Sequence, residues 1–204
     1  MFIQVIQGHI TDPMEIQEAL DTWYRDLAPG AEGWLGTTAG VTDDNELIML
    51  VRFTSPEAAQ NNSNRPEQHQ WWMQTAKLFT GTATFYDCRR CEPFLAGGSD
   101  EAGFVQVIQG HSDDLPRLLE INRQSEEQIR SWRPEIIGGV LAQHDDGTGD
   151  FTEAVYFTTE AAAREGERKK PPQELADLMK DEQQLWGEPR FYDLTNPWFY
   201  SPDR

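Results

Sequence analysis

The chain of 204 residues is short of three things, and each shortage excludes a class of protein. Basic residues are few: 17 Lys plus Arg stand against 35 Asp plus Glu, a formal charge of −18. A surface of that sign repels the phosphates that dominate nucleic-acid affinity and the anionic face of a membrane, so neither is an expected partner. Long apolar runs are missing: nothing approaches the roughly 20 residues that span a bilayer, and the opening Met-Phe-Ile-Gln carries no basic leader. A cytoplasmic location is the expectation. Cysteines number only two, Cys88 and Cys91, in Cys-Arg-Arg-Cys. A redox Cys-x-x-Cys opens a helix, whereas this pair follows a strand-like run and precedes Glu92-Pro93. Reduced thiols are expected, and with no second Cys or His pair at zinc spacing no metal is expected either. A Walker loop, a G-x-G-x-x-G, a nucleophile elbow and a His-Glu-x-x-His are all absent. The common nucleotide, dinucleotide, hydrolase and metalloprotease readings fall with them, and no cofactor is implied.

What remains, at 38% hydrophobic and 25% charged residues, is a globular chain long enough for one large domain or two of roughly 100 residues. Internal repetition decides between these. Residues 2–9 read FIQVIQGH and residues 104–111 read FVQVIQGH. Further pairs keep the same order: Leu35-Gly36 with Ile137-Gly138, RFTSPEAA from Arg52 with YFTTEAAA from Tyr156, and FYD from Phe85 with FYD from Phe191. Two homologous units follow, 1–97 and 103–204, joined by Ala-Gly-Gly-Ser-Asp at 96–100 and ending in a tail.

Periodicity changes in the same order within each unit. In the first, Phe2 to Gln7 is a β-rich run and Pro13 to Leu27 is helical, capped by Thr11 or Asp12 with Pro13 at its first position. Trp34 to Thr42 and Glu46 to Thr54 are strands around an Asp-Asp-Asn turn. Ser55-Pro56-Glu57 opens a helical region that runs with a break to Phe79, and Thr82 to Cys88 closes as a strand. The second unit repeats this over Phe104 to Gln109, Leu115 to Trp132, Ile136 to Gln143, Phe151 to Thr158, Glu160 to Trp186 and Arg190 to Leu194. This βαββαβ order is ferredoxin-like: an antiparallel four-stranded sheet with both helices on one face, whose other face needs a cover. A tandem copy supplies that cover within one chain. The fold class expected is α+β, with two tandem units forming an intramolecular dimeric α+β barrel. Further association of such pseudo-dimers is left open.

The segments S-P-E-A-A, N-R-P-E-Q-x-x-W-W and L-F-x-G-x-x-x-F-Y-D, set in that pattern, resemble the antibiotic-biosynthesis-monooxygenase-like branch of the dimeric α+β-barrel superfamily. The resemblance covers nearly the whole chain. It implies a small-molecule ligand in a pocket between the sheet and helices of a unit. It does not fix a reaction, because the superfamily spans cofactor-independent quinone-forming monooxygenases, haem-degrading enzymes, isomerases, decarboxylases and proteins of no known activity.

Such a pocket directs attention to polar residues on inward helix faces. Registering the halves sets Ile16, Leu20, Trp23 and Leu27 against Leu118, Asn122, Ser125 and Ile129, and His69, Trp72, Met73, Ala76 and Phe79 against Leu175, Leu178, Met179, Glu182 and Leu185. His69, Trp72, Asn122, Ser125 and Glu182 are the catalytic candidates. An imidazole titrates near neutral pH and serves as a general base or orienting donor, and an indole offers a stacking face and one N–H. The competing reading is structural, with each of these groups satisfied by backbone, water or solvent. Gln4 and Gln106, among strand-core residues in both copies, must also hydrogen-bond something, either a ligand or a group across the sheet interface. His9 and His111 are expected in strand-to-helix turns, and Trp71 at a helix edge or oligomer surface. Residues 196–200, with three adjacent aromatics, are expected to fold back over the other unit.

Two functions fit these features. One is a cofactor-independent, monooxygenase-like enzyme acting on a small apolar or phenolic molecule. The other is a non-enzymatic small-ligand-binding or stress-related protein, favoured if bulky side chains leave less than the ~300 Å³ typical of a ligand cavity. The halves are expected to be unequal: Trp23 should fill volume in the first that Ser125 leaves open in the second, so Asn122, Ser125 and Gln106 should line the more open pocket.

Overall fold

The computed structural model describes residues 1–202. The first helix, α1 (Pro13–Asp26), starts where Asp12 Oδ1 accepts the Met14 amide and Pro13 opens the first turn; Ile16, Leu20 and Trp23 form its buried stripe. The second helical region is two helices, α2 (Pro56–Ser63), capped by Ser55, and α3 (Pro66–Thr75). The break falls at Arg65, whose extended backbone (φ −67°, ψ 129°) is the geometry that a following proline imposes. Arg65 spans the junction, donating to the Leu27 carbonyl and to Asn62 Oδ1. The second half repeats the scheme with α4 (Leu115–Trp132) capped by Asp114, α5 (Glu160–Glu167) capped by Thr159, and α6 (Gln173–Leu185).

Strands β1 (Phe2–His9), β2 (Trp34–Val41), β3 (Glu46–Phe53) and β4 (Thr84–Cys88) form one antiparallel sheet; β6 (Phe104–His111), β7 (Ile136–Gln143), β8 (Asp150–Phe157) and β9 (Arg190–Leu194) form the other. Each sheet has five strands, not the four expected. The fifth strand of the first sheet is β10 (Trp198–Tyr200), beside β2; that of the second is β5 (Arg90–Leu95), beside β7. Each repeat thus gives its last strand to the sheet built by the other. By contacts the chain divides into a unit of residues 1–89 with the segment from Trp198, and a unit Arg90–Pro197. The aromatic tail does reach the first unit, as a strand: the Tyr200 hydroxyl donates to Asp21 and the Tyr24 hydroxyl to the Ser201 carbonyl.

The repeated Leu-Gly and Ile-Gly pairs mark where these strands arrive. A register shift sits between Trp34 and Gly36, and another between Ile136 and Gly138. A Cβ on Gly36 (φ 130°) would lie 2.9 Å from the Tyr200 carbonyl, and one on Gly138 1.7 Å from that of Gly97. Only glycine lets the incoming backbone approach so closely. No helix among the described residues is long and apolar enough to cross a membrane.

Candidate functional site

Alternation along the first sheet turns Phe2, Gln4 and Ile6 of β1 and Met49, Val51 and Phe53 of β3 to one face. Between part of that face and α1 and α3 lies a cavity of about 250 Å³. Leu20 and Trp23 wall it from α1, Trp71 and Trp72 from α3, and Phe85 from β4; Gln4, Asn62, Gln68 and His69 supply polar groups. The walls are held from behind. The Trp23 indole stands edge-on to Trp34 at 5.1 Å and donates to Gln68 Oε1 at 2.5 Å, and Trp71 donates to the Ala19 carbonyl. Trp72 meets Phe85 edge-on at 5.1 Å. Among the described residues, the ring nitrogens of His69 and the indole N–H of Trp72 have no hydrogen-bond partner. His69 is exposed at the rim and Trp72 is half-buried.

The inward face of α3 is rotated from expectation. Gln68, Trp71 and Trp72 line the cavity and Thr75 is buried, while Met73 is 52% exposed. Trp71 therefore packs on α1 and is no surface residue. Gln4 and Gln106 find partners in their own sheets: Gln4 Nε2 donates to Asp87 Oδ1 at 2.8 Å and Gln106 Nε2 to Asp193 Oδ1 at 2.9 Å. Gln7 and Gln109 likewise bond to Glu46 and Thr152 of the neighbouring strands.

The expected inequality of the units runs the other way. Trp23 is a wall of the cavity and does not fill it. In the second unit Trp186, just past α6, packs on both apolar clusters, against Phe151 at 5.9 Å. Ser125 is buried and donates to the Asn122 carbonyl one turn back, and Asn122 borders a recess of only about 40 Å³. Asn122, Ser125 and Glu182 thus belong to one unit, His69 and Trp72 to the other.

Registering the helices alone misses a buried residue on which the charge of Glu182 acts. Glu153 on β8 stands where β3 has Met49, is 5% exposed, and has no hydrogen-bond partner among the described residues. Burial, with the charge of Glu182 added, pushes its carboxyl up to about 8, and burial pushes Glu182 up to about 7. The signal lies in the strand: Phe151, Glu153, Val155 and Phe157 share a face, one carboxylate in an apolar row.

Elsewhere, His111 pairs with Asp150 at 2.8 Å and Asp113 at 3.2 Å, and those hydrogen bonds raise its pKa. His144, Asp146 and Asp150 bring ligand atoms within 4.8 Å of one another, a grouping that could hold a cation, although Asp150 already serves His111. Cys88 and Cys91 sit on β4 and β5, not at a helix start, and are not joined in a disulfide.

No family model and no curated protein matches the sequence. Solved structures do match the fold. A "putative monooxygenase" from Lactobacillus acidophilus aligns with a TM-score of 0.77 at 11% identity, covering 98% of this chain and 95% of that one. An "anthrone oxidase-like protein" gives 0.66 at 11%, covering 98% and 94%. A ferredoxin-fold protein related to antibiotic biosynthesis monooxygenases, from Listeria monocytogenes, gives 0.51 at 10%, covering 100% and 96%. The chain therefore has the α+β, tandem ferredoxin-like fold of monooxygenase-related proteins. At such identities that is a likeness of fold.

Proposed function

We propose that the protein is a cofactor-independent, monooxygenase-like enzyme whose substrate, a small apolar or phenolic molecule, binds in the aromatic cavity of the first unit. The observation that carries this reading is the pairing of an apolar hollow with two unpartnered nitrogen-bearing rings, His69 and Trp72, on its wall and rim. An apolar site with one base and one donor suffices for oxidising an acidic C–H or phenol by dioxygen. His69 takes the proton, and Trp72 N–H donates to the oxygen on which charge develops. The substrate anion gives its electrons to dioxygen. A hydroperoxide formed at the reacting CH₂ then loses water and leaves a carbonyl, so that R₂CH₂ and O₂ become R₂CO and H₂O. The names of the matching structures, "putative monooxygenase" and "anthrone oxidase-like protein", support the same chemistry. Asn122, Ser125 and Glu182 lie in the other unit and take no part.

Anthrone is a suitable probe. Dioxygen uptake with appearance of anthraquinone, lost in His69→Gln and reduced in Trp72→Phe, is the expected result; equal rates in the wild type and His69→Gln would refute the assignment. The volume, about 250 Å³ against the ~300 Å³ lower end for ligand pockets, favours as second reading a binding protein without turnover. That reading holds if anthrone quenches the cavity tryptophans and is never oxidised.

A further inference from the structure

The two units hold the same small constellation, and only one of them completes it. In the second unit Gln106 donates to Asp193 Oδ1, while Asp193 Oδ2 accepts from Arg164 on α5. The Arg164 guanidinium lies 5.1 Å over the Phe104 ring and also reaches Glu167 and Glu160. The first unit repeats the floor: Phe2 for Phe104, Gln4 for Gln106, Asp87 for Asp193, with the Gln4–Asp87 bond at 2.8 Å. Helices α2 and α5 begin alike, Ser55 and Thr159 each accepting the amide three residues on at 3.2 Å. Gln60 therefore stands where Arg164 stands. Its amide turns away to Asn64, and the space of the missing guanidinium is a recess of about 240 Å³ lined by Phe2, Gln4, Gln60 and Asp87. Glu57 and Arg89 border it as well, so two carboxylates and one guanidinium line the recess. Among the described residues Asp87 has Gln4 as its only hydrogen-bond partner. Gln4 and Ser63 line both this recess and the aromatic cavity, so one ligand can reach both.

We propose that this recess is a subsite for a guanidinium or primary ammonium group on the ligand of the aromatic cavity, held by Asp87 over the Phe2 ring as Asp193 holds Arg164 over Phe104. The proposal rests on the reading that the cavity binds a small molecule, and it narrows the class to a phenolic or apolar ring bearing a cationic arm. Charge-assisted hydrogen bonding and the ring face both favour such an arm.

Tyramine and 4-ethylphenol, which differ by the ammonium group, test it by titration calorimetry on the full chain. Tyramine is expected to bind about tenfold more tightly. Asp87→Asn, which removes the carboxylate, and Gln60→Arg, which supplies the second unit's own guanidinium, should each reduce that preference below about twofold and leave 4-ethylphenol binding unchanged. Asp193→Asn should leave the preference intact. Equal binding of the two probes, or a preference that survives Asp87→Asn, overturns the subsite while the cavity stands. A preference lost in Asp193→Asn but kept in Asp87→Asn moves recognition to the second unit and also overturns it. Failure of both probes to bind removes the cavity reading and the subsite together, whereas 4-ethylphenol binding without tyramine binding overturns the subsite alone.

Discussion

In the first unit Met49 borders a hollow walled by tryptophans, and Ala76 follows α3; in the second the matching places hold Glu153 and Glu182, and Trp186 packs into the interior. Strand order and register are nonetheless the same in both, and α1 and α4 each follow an Asp cap as α2 and α5 each follow a hydroxyl cap. The backbone scheme is thus set by alternation, caps and the two bulge glycines, none of which depends on how the space under the helices is filled. Binary pattern settles the fold, and particular side chains settle whether a unit is hollow. The largest way to break the comparison is to exchange the residues at the first-helix position. Trp23→Ser removes a buried wall braced by Trp34 and Gln68 and should cost about 3–5 kcal/mol in urea unfolding. Ser125→Trp should cost about 1–3 kcal/mol, because Ser125 sits in a packed helix face with no room for an indole. Equal costs would mean that the two interiors are packed alike.

Glu153 sharpens the same contrast through pH. Its folded pKa, about 8, lies above its ordinary 4.5, so its contribution to stability is fully present below about 4.5 and is lost as pH rises through about 8. Glu182, raised to about 7 by burial, adds to the loss in the same direction. Glu153→Gln should flatten this fall and be more stable than the wild type at pH 8, by an amount on the order of 3 kcal/mol, with little difference at pH 4.5. Met49, at the matching place, contributes no such slope. Unfolding curves of both proteins at the two pH values check this; a Glu153→Gln variant no more stable than the wild type at pH 8 would show that the fold does not raise the Glu153 pKa.

The common backbone of the two units is legible in the sequence, and their different interiors much less so. The paired strings FIQVIQGH and FVQVIQGH place two sheets, and Asp12-Pro13 and Ser55-Pro56 place helix starts. Strand β5 is not legible: Arg-Cys-Glu-Pro-Phe-Leu carries a proline that argues against a central strand, and it is tolerated because β5 runs at a sheet edge. The phase of α3 is lost for a related reason. Pro66 begins a new helix after Arg65, so a register carried over from α6 assigns Met73 inward and Trp71 outward. Side-chain size puts the cavity in the wrong unit, because it makes a large residue into filler, whereas hydrogen bonding to Gln68 and edge-on packing against Trp34 fix Trp23 as a wall. Gln4 and Gln106 do announce a need for partners, but only strand register identifies Asp87 and Asp193, although both lie in the repeated FYD.

The smallest expected effect concerns the residue that most simply converts one unit into the other, Arg164. Its side chain is 30% exposed and that of Asp193 37%, so the ion pair is partly screened and weak by itself. Two features raise it above an isolated surface pair: the guanidinium is also within reach of Glu160 and Glu167, and it covers the Phe104 ring. Arg164→Gln, which installs the first unit's residue, should therefore cost about 1 kcal/mol, less at high salt, and should leave the α5 cap undisturbed because Thr159 supplies it. A cycle with Asp193→Asn should return a coupling of about 0.5–1 kcal/mol. The matching cycle in the first unit, Gln60→Arg with Asp87→Asn, should return a coupling of the same sign, because Phe2, Gln4 and Asp87 already present the floor on which that guanidinium would rest. Coupling in the second unit and none in the first would mean that the shared floor does not suffice and that Glu160 and Glu167, which the first unit replaces with Pro56 and Ser63, hold the guanidinium instead.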